Sequence, residues 1–196
     1  QGNELGPNQE GNIVVKLPLP PGTLATLWRN DERFVSSYMS AFPGYYETSD
    51  GGYIDEDGYV FVMGRIDDVI NIAGHRLSTG AMEEVIATHP HVAECAVFGT
   101  SDALKGQKPL GLVVLKAGVK CDEEELKVEL VKMIRNQIGP IACYRETAVV
   151  VRLPKTRSGK ILRGTMRAIA VGQEYRMPST IYDPSCLEEI TEDLKK

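Results

Sequence analysis

The chain lacks a basic excess. Its 22 Lys and Arg are outnumbered by 27 Asp and Glu, for a formal net charge of −5. General nucleic-acid or membrane-surface binding needs a broad positive field, so neither partner is expected. No apolar run approaches the ~20 residues of a membrane span. The opening Gln1-Gly2-Asn3-Glu4-Leu5-Gly6 has no initiator methionine, no basic region and no apolar leader core, and reads as part of something longer. Cysteines are few and dispersed, at 95, 121, 143 and 186, which excludes a zinc ribbon or a redox pair by spacing. Cys95 and Cys143 lie among apolar neighbours and read as buried thiols. A reducing intracellular setting, cytoplasm or mitochondrial matrix, is expected. His89-Pro90-His91 has no third ligand in view and reads as a helix end, so no metal site is expected. There is no internal repeat and no low-complexity stretch.

Two regions of different character are present. Residues 1–66 are rich in glycine, proline and aromatics and read mostly as strands. Ile13-Val14-Val15 is a strand, Asp31 caps a short helix carrying Phe34, Val35, Tyr38 and Met39, and Tyr45 to Thr48 and Tyr53-Ile54 are strand pieces. Asp55-Glu56-Asp57-Gly58 is a hairpin turn into Tyr59-Val60-Phe61-Val62-Met63. Residues 67–196 alternate helix and strand. Ser78 or Thr79 caps a helix with Met82, Val85 and Ile86 inward, stopped before Pro90. Val92 to Phe98 and Leu110 to Leu115 are strands. Asp122 caps a long helix with Leu126, Leu130, Ile134 and Ile138 at every fourth position, and Gly139-Pro140 ends it. Ala148 to Leu153 is a strand and Arg163 to Val171 a short helix. The tail from Gln173 onward is polar and is expected to wrap the surface. The pattern predicts an α+β fold, a small, mostly antiparallel sheet flanked by helices.

The chemistry concentrates in two places. Leu153-Pro154-Lys155-Thr156-Arg157-Ser158-Gly159-Lys160-Ile161 crowds cations between a proline and a glycine. Lys and Arg clamp phosphate oxygens, and Gly159 frees the backbone beside Lys160. A mobile loop delivering one ammonium to an anionic centre has this composition, although a solvated basic turn has it too. The second place is Tyr46-Glu47-Thr48-Ser49-Asp50 together with Gly64-Arg65-Ile66-Asp67-Asp68 and Gly74-His75-Arg76. Asp50 at a strand end suits the two hydroxyls of a ribose. Arg65 could bind the same sugar or a phosphate, or pair with Asp67 or Asp68. Gly74 permits close backbone approach, or is a simple turn glycine.

Taken together, Thr48-x-Asp50, Gly64-Arg65-x-Asp67-Asp68, Gly74-His75-Arg76 and Pro154-Lys155-Thr156-x-Ser158-Gly159-Lys160 resemble the C-terminal part of acyl-adenylate-forming enzymes. Asp67 to Arg76, Leu104-Lys105-Gly106, Ile138-Gly139-Pro140 and Lys155 to Lys160 are similar to the short-chain acyl-CoA synthetases. Leu17-Pro18-Leu19-Pro20-Pro21-Gly22 and Ser179-Thr180-Ile181-x-Asp183-Pro184 lean toward the propionyl type. The resemblance implies that 1–66 is the last β-rich segment of an N-terminal adenylation domain. It implies that 67–196 is a mobile C-terminal domain swinging about a hinge near Asp67.

The implied reaction joins a carboxylate to ATP as acyl-AMP, then to coenzyme A, releasing AMP and pyrophosphate. The implied magnesium site would lie outside this segment. By the same resemblance Asp50 and Arg65 hold the ribose, Lys160 bridges the substrate carboxylate and the α-phosphate, and Gly74 lines the pantetheine path. His75, Arg76 and Arg135 approach nucleotide or coenzyme A phosphates. Acylation of such a lysine would silence the first step, so a lysine acetyltransferase and a deacylase are implied partners. The family's Thr-Gly-Asp has Ser49 in place of glycine here, which bears on the local turn. Propionate or acetate is the implied substrate, and the segment alone is expected to be inactive.

Two further readings are a carrier-protein-loading adenylation domain and a catalytically silent binding or regulatory module of the same fold. A carrier domain soon after Lys160 would mark the first. Loss of Lys160, Asp50 or Arg65 would mark the second, and all three are present.

Overall fold

The computed structural model describes residues 2–195, apart from the side chain of Asp67. The chain divides into two compact units, the boundary falling after Asp67.

Unit 1 holds a three-stranded antiparallel sheet in the order β1 (Gly11–Lys16), β2 (Tyr45–Ile54), β3 (Val60–Arg65). The two strand pieces expected around Asp50 are one continuous strand. It is interrupted by a bulge, since Ile13 pairs with Asp50 while Val14 pairs with Glu47. Helix α1 (Asp31–Tyr38) is capped by Asn30, whose side chain accepts from the Arg33 N–H, one residue before the cap expected from sequence. Phe34 is buried but Val35 is 53% exposed, so the apolar face is narrower than its pattern implied. Strand β3 lies at the sheet edge, and Tyr59 to Met63 expose a run of apolar side chains.

Unit 2 is a five-stranded sheet between two helical layers. Its strands are β4 (Val69–Ile72), β5 (His75–Ser78), β6 (Val92–Asp102), β7 (Gly106–Leu115) and β8 (Glu146–Val149). Strands β6 and β7 pair antiparallel along their whole length. The other edge of β7 is shared by β4, through Ile72 and Gly106, and by β8, which runs parallel from Leu110 to Val113. That parallel pair requires a crossover, which α3 (Glu123–Gln137) supplies.

Alternation along β6 and β7 sends Val97 and Val113 to one face, against α2 (Thr79–Ala87) and α3. It sends Ala96, Phe98, Leu110 and Leu112 to the other face, with Met166 of α4 (Arg163–Ala170) and Ile190 of α5 (Cys186–Asp193). Strands buried on both faces read as near-continuous apolar runs, which these do.

The caps at Ser78 and Asp122 and the inward stripe of α3 form as the sequence indicates. Three expectations are corrected. The strand expected over 148–153 is β8, displaced toward Glu146, because Val150 and Leu153 enter the core after leaving the ladder. The polar tail contains α5, which buries Cys186, Leu187 and Ile190. The thiols of Cys95 and Cys143 are half-buried, and the buried cysteine is Cys186.

His89 is 5% exposed and works as a structural residue. Its Nδ1 accepts from the His91 N–H at 3.2 Å, which leaves Nε2–H to donate to Glu129 Oε2 at 2.9 Å. Among the described residues no group of three or more His, Cys, Asp or Glu is placed to hold a metal ion, and no helix is long and apolar enough to cross a membrane.

The cysteines should differ in reactivity. Burial, helped by the charge of Glu83, pushes the Cys95 thiol up to about 11, and burial raises Cys186 as well. At pH 8 about one Cys95 in a thousand is thiolate. A short maleimide pulse followed by peptide mapping is expected to label Cys121 and Cys143 first and Cys95 and Cys186 last. Early labelling of Cys95 would contradict this order.

Candidate active site

In unit 1 the bulge does the positioning. Thr48 Oγ1 donates to the Ile13 carbonyl at 2.7 Å and accepts from the Asp50 N–H at 3.1 Å. Ser49 is then forced to φ +62°, the left-handed region that favours glycine. A glycine would adopt this backbone without the cost that the Ser49 Cβ carries. The result sets Asp50 opposite Arg65 across β2 and β3. Arg65 Nη1 lies 3.9 Å from Asp50 Oδ1 and donates to the Thr48 carbonyl at 3.3 Å. Both side chains stay partly exposed, so an anion and a cation are presented side by side to solvent. Ser49→Val, with a β-branched residue at positive φ, is expected to cost unit 1 about 1–2 kcal/mol, whereas Ser49→Gly is tolerated. Thermal melting of the two variants checks this.

Gly74 lies at the tip of the β4–β5 hairpin. Ala73 (φ +51°) and Gly74 (φ +90°) form a two-residue turn with both residues left-handed, the geometry that matches strand twist. Nothing lies within 4 Å of where a Cβ on Gly74 would sit, so the backbone there faces open space. The Ala73 N–H donates to the Lys105 carbonyl at 2.9 Å, and Asn71 Oδ1 accepts from the Gly74 N–H at 3.1 Å. His75 and Arg76 are exposed beside the tip, and Arg135 is exposed in the last turn of α3.

The lysine loop is closed by its own hydrogen bonds. The Thr156 N–H donates to the Lys160 carbonyl at 2.8 Å, and the Gly159 N–H to the Thr156 carbonyl at 2.9 Å. Thr156 Oγ1 accepts from the Lys160 N–H at 3.0 Å. Gly159 has φ +85°, which permits the turn. Lys155 pairs with Glu94 at 2.6 Å, and Arg163 makes a two-pronged bond to Glu83 at 2.7 and 3.0 Å. Arg152 is held by Asp183, Ser185 and Glu189. Lys160 is exposed, and among the described residues no carboxylate pairs with its ammonium. Beside the loop an open groove of about 480 Å³ is lined by Glu83, Glu84 and Glu94 with Lys155 and Gly159.

Asp50 and Arg65 are thus brought together, and Gly74, His75 and Arg76 share one hairpin tip. Among the described residues Lys160, Arg135 and that tip make no hydrogen bond or ion pair with one another. The side chain of Asp67, the expected pivot, lies outside the described residues. Sequence reasoning missed Glu83, Glu94 and the partners of Arg152. Their pairings span 31 to 80 positions, and no local pattern announces them.

Unit 2 is thus a helix-covered sheet that presents Lys160 on a tight loop. Residues 81–160 match the AMP-binding enzyme C-terminal domain family. The rest of the chain is similar in sequence to the C-terminal region of short-chain acyl-CoA synthetases.

The chain is 54% identical over 186 residues to human acyl-CoA synthetase short-chain family member 3, mitochondrial, covering 95% of this chain and 27% of the relative. It is 46% identical over 188 residues to an acetyl-coenzyme A synthetase of Pyrobaculum arsenaticum, covering 96% and 28%. Among solved structures, ATP-bound MatB from Rhodopseudomonas palustris superposes with a TM-score of 0.66 at 27% identity, over 83% of this chain and 31% of that one. The chain spans less than a third of the length of the curated relatives it matches.

Proposed function

We propose that the chain is the C-terminal part of an AMP-forming acyl-CoA synthetase, acting on a short-chain carboxylate such as propionate or acetate. The observation that carries this reading is the state of Lys160: exposed and unpaired among the described residues, on a loop whose neighbouring Lys155 is committed to Glu94. An ammonium held ready in this way can meet an anion from outside its own unit. In this reading residues 1–66 are the last β-rich segment of the N-terminal adenylation domain, and 67–196 are the mobile domain with Asp67 as hinge.

Lys160 then bridges the carboxylate and the α-phosphate of ATP, while Asp50 accepts from the ribose hydroxyls beside Arg65. After the swing, the open backbone at Gly74 accommodates the pantetheine arm, and His75, Arg76 and Arg135 lie toward phosphates of AMP or coenzyme A. ATP, AMP and coenzyme A are substrates and products of this scheme, and magnesium would be held outside this segment. The exposure that serves Lys160 also leaves it open to a lysine acetyltransferase, with a deacylase restoring the charge. The cytoplasm or the mitochondrial matrix would suit this chemistry.

ATP–pyrophosphate exchange with propionate and with acetate, measured on the full-length enzyme, tests the proposal. Exchange dependent on either acid is expected. The 196-residue chain alone is expected to be inert, and turnover by it at enzyme-like rates would contradict the reading.

A further inference from the structure

The tail after α4 takes no part in the scheme above, and the family match ends at residue 160. Curated relatives nevertheless align over 95–100% of the chain, so most of the tail is shared with them. In the structure this tail runs along the lysine loop. The Arg157 N–H donates to the Thr180 carbonyl at 3.0 Å, and the Tyr182 N–H to the Lys155 carbonyl at 2.8 Å, with Thr156 and Ile181 bridged between them. Just before the loop, the Arg152 guanidinium donates through Nε and Nη2 to Glu189 at 2.8 Å each, through Nη1 to Asp183 at 2.5 Å, and through Nη2 to Ser185 Oγ at 2.8 Å. Just after it, Leu162 packs on the buried group of Ile181, Cys186 and Leu187. The loop is therefore gripped at its entry, along its first arm and at its exit. Thr156 links the grip to Lys160, since it is bridged to Ile181 and bonds the backbone of Lys160 in both directions.

We propose that the tail is a strap that sets the position of the Lys160 loop, with Arg152, Asp183 and Glu189 as its positioning residues. None of these three needs to touch the reacting atoms. They fix the base from which Lys160 reaches. The functional half of this inference rests on Lys160 being the group that meets the substrate anion.

Hydrogen exchange on the 196-residue chain tests the strap without any activity. Arg152→Met is expected to speed exchange at Thr156, Gly159, Lys160 and Leu162 by about tenfold or more, with β6, β7 and α3 unchanged. Asp183→Asn is a milder variant expected to move the same amides, and Arg152→Lys should restore part of the protection. In the full-length enzyme Arg152→Met is expected to lower kcat for acyl-adenylate formation by up to about 10²-fold, by misplacing Lys160. KM for ATP and thioester formation from supplied acyl-adenylate should stay unchanged.

Unaltered loop exchange in both Arg152→Met and Asp183→Asn would overturn the strap. So would equal loosening of loop and core with no rescue by lysine, since that indicates general destabilisation. A wild-type enzyme that forms no acyl-adenylate would sink the functional reading alone, with the exchange result still deciding the strap.

Discussion

Lys160→Ala in the full-length enzyme is expected to lower acyl-adenylate formation by about 10²–10³-fold, the loss seen when one well-placed donor to a developing anion is removed. Thioester formation from supplied acyl-adenylate should be largely retained, because the proposed swing takes the loop away from that step. Stability should not change, since the side chain is exposed and no carboxylate among the described residues pairs with it. Lys160→Arg keeps the charge but replaces a compact ammonium with a broad planar fork, so it should recover little. Pyrophosphate exchange, a coenzyme A assay started from acyl-adenylate and a thermal melt separate the outcomes. Equal loss of both half-reactions with a lowered melting temperature would assign Lys160 to folding instead.

The largest effect on stability is expected from Gly111→Ala. Gly111 lies in the middle of β7, paired with Val97 on β6 and Thr147 on β8. A Cβ there would sit 1.9 Å from the Tyr144 hydroxyl oxygen and 2.9 Å from Cζ. Tyr144 is 4% exposed and its hydroxyl bonds Thr147 Oγ1 at 2.8 Å, so the ring has no open side to move into. Burial also holds the phenol far above its usual ionisation range. The methyl group must therefore displace either the ring or the strand, at a cost of about 3 kcal/mol. Adding Tyr144→Phe removes the nearest atom and should recover part of that loss, a coupling that denaturant unfolding of the double-mutant cycle reads directly. A cost below about 0.5 kcal/mol, the range of an ordinary surface substitution, would show that the strand yields easily.

The parts of the fold that were legible in the sequence are those set by local physics. Helix α3 announces itself through Asp122 and a stripe repeating every fourth residue, and the same residues cap and fill it. The Asp55 to Gly58 turn is similar, because the Asp55 side chain accepts from the N–H groups of Asp57 and Tyr59. Strand β8 was misplaced because apolar character marks burial, and burial continues to Val150 and Leu153 after the ladder has ended. Helix α5 was hidden because only three of its eight residues face inward and its first turn is acidic. Of the candidate site, the turn glycine Gly159 and the exposed lysine after it were readable. The pairing of Arg152 with residues more than thirty positions away was not, since chain topology decides which distant segments meet. Ser49 is instructive in a different way. The residue departs from the glycine of the resembled pattern, and it sits at a positive φ of 62°, where glycine carries no steric cost.

The outer flank of β3 has a practical consequence. Val60, Phe61, Val62 and Met63 present exposed side chains on a strand that, among the described residues, pairs with a neighbouring strand on one side. An uncovered border of this kind is adhesive, and another copy can continue the sheet as readily as a proper neighbour. Whatever host carries these residues must shield that flank, and a truncated protein that leaves it bare will be governed by self-association at high concentration.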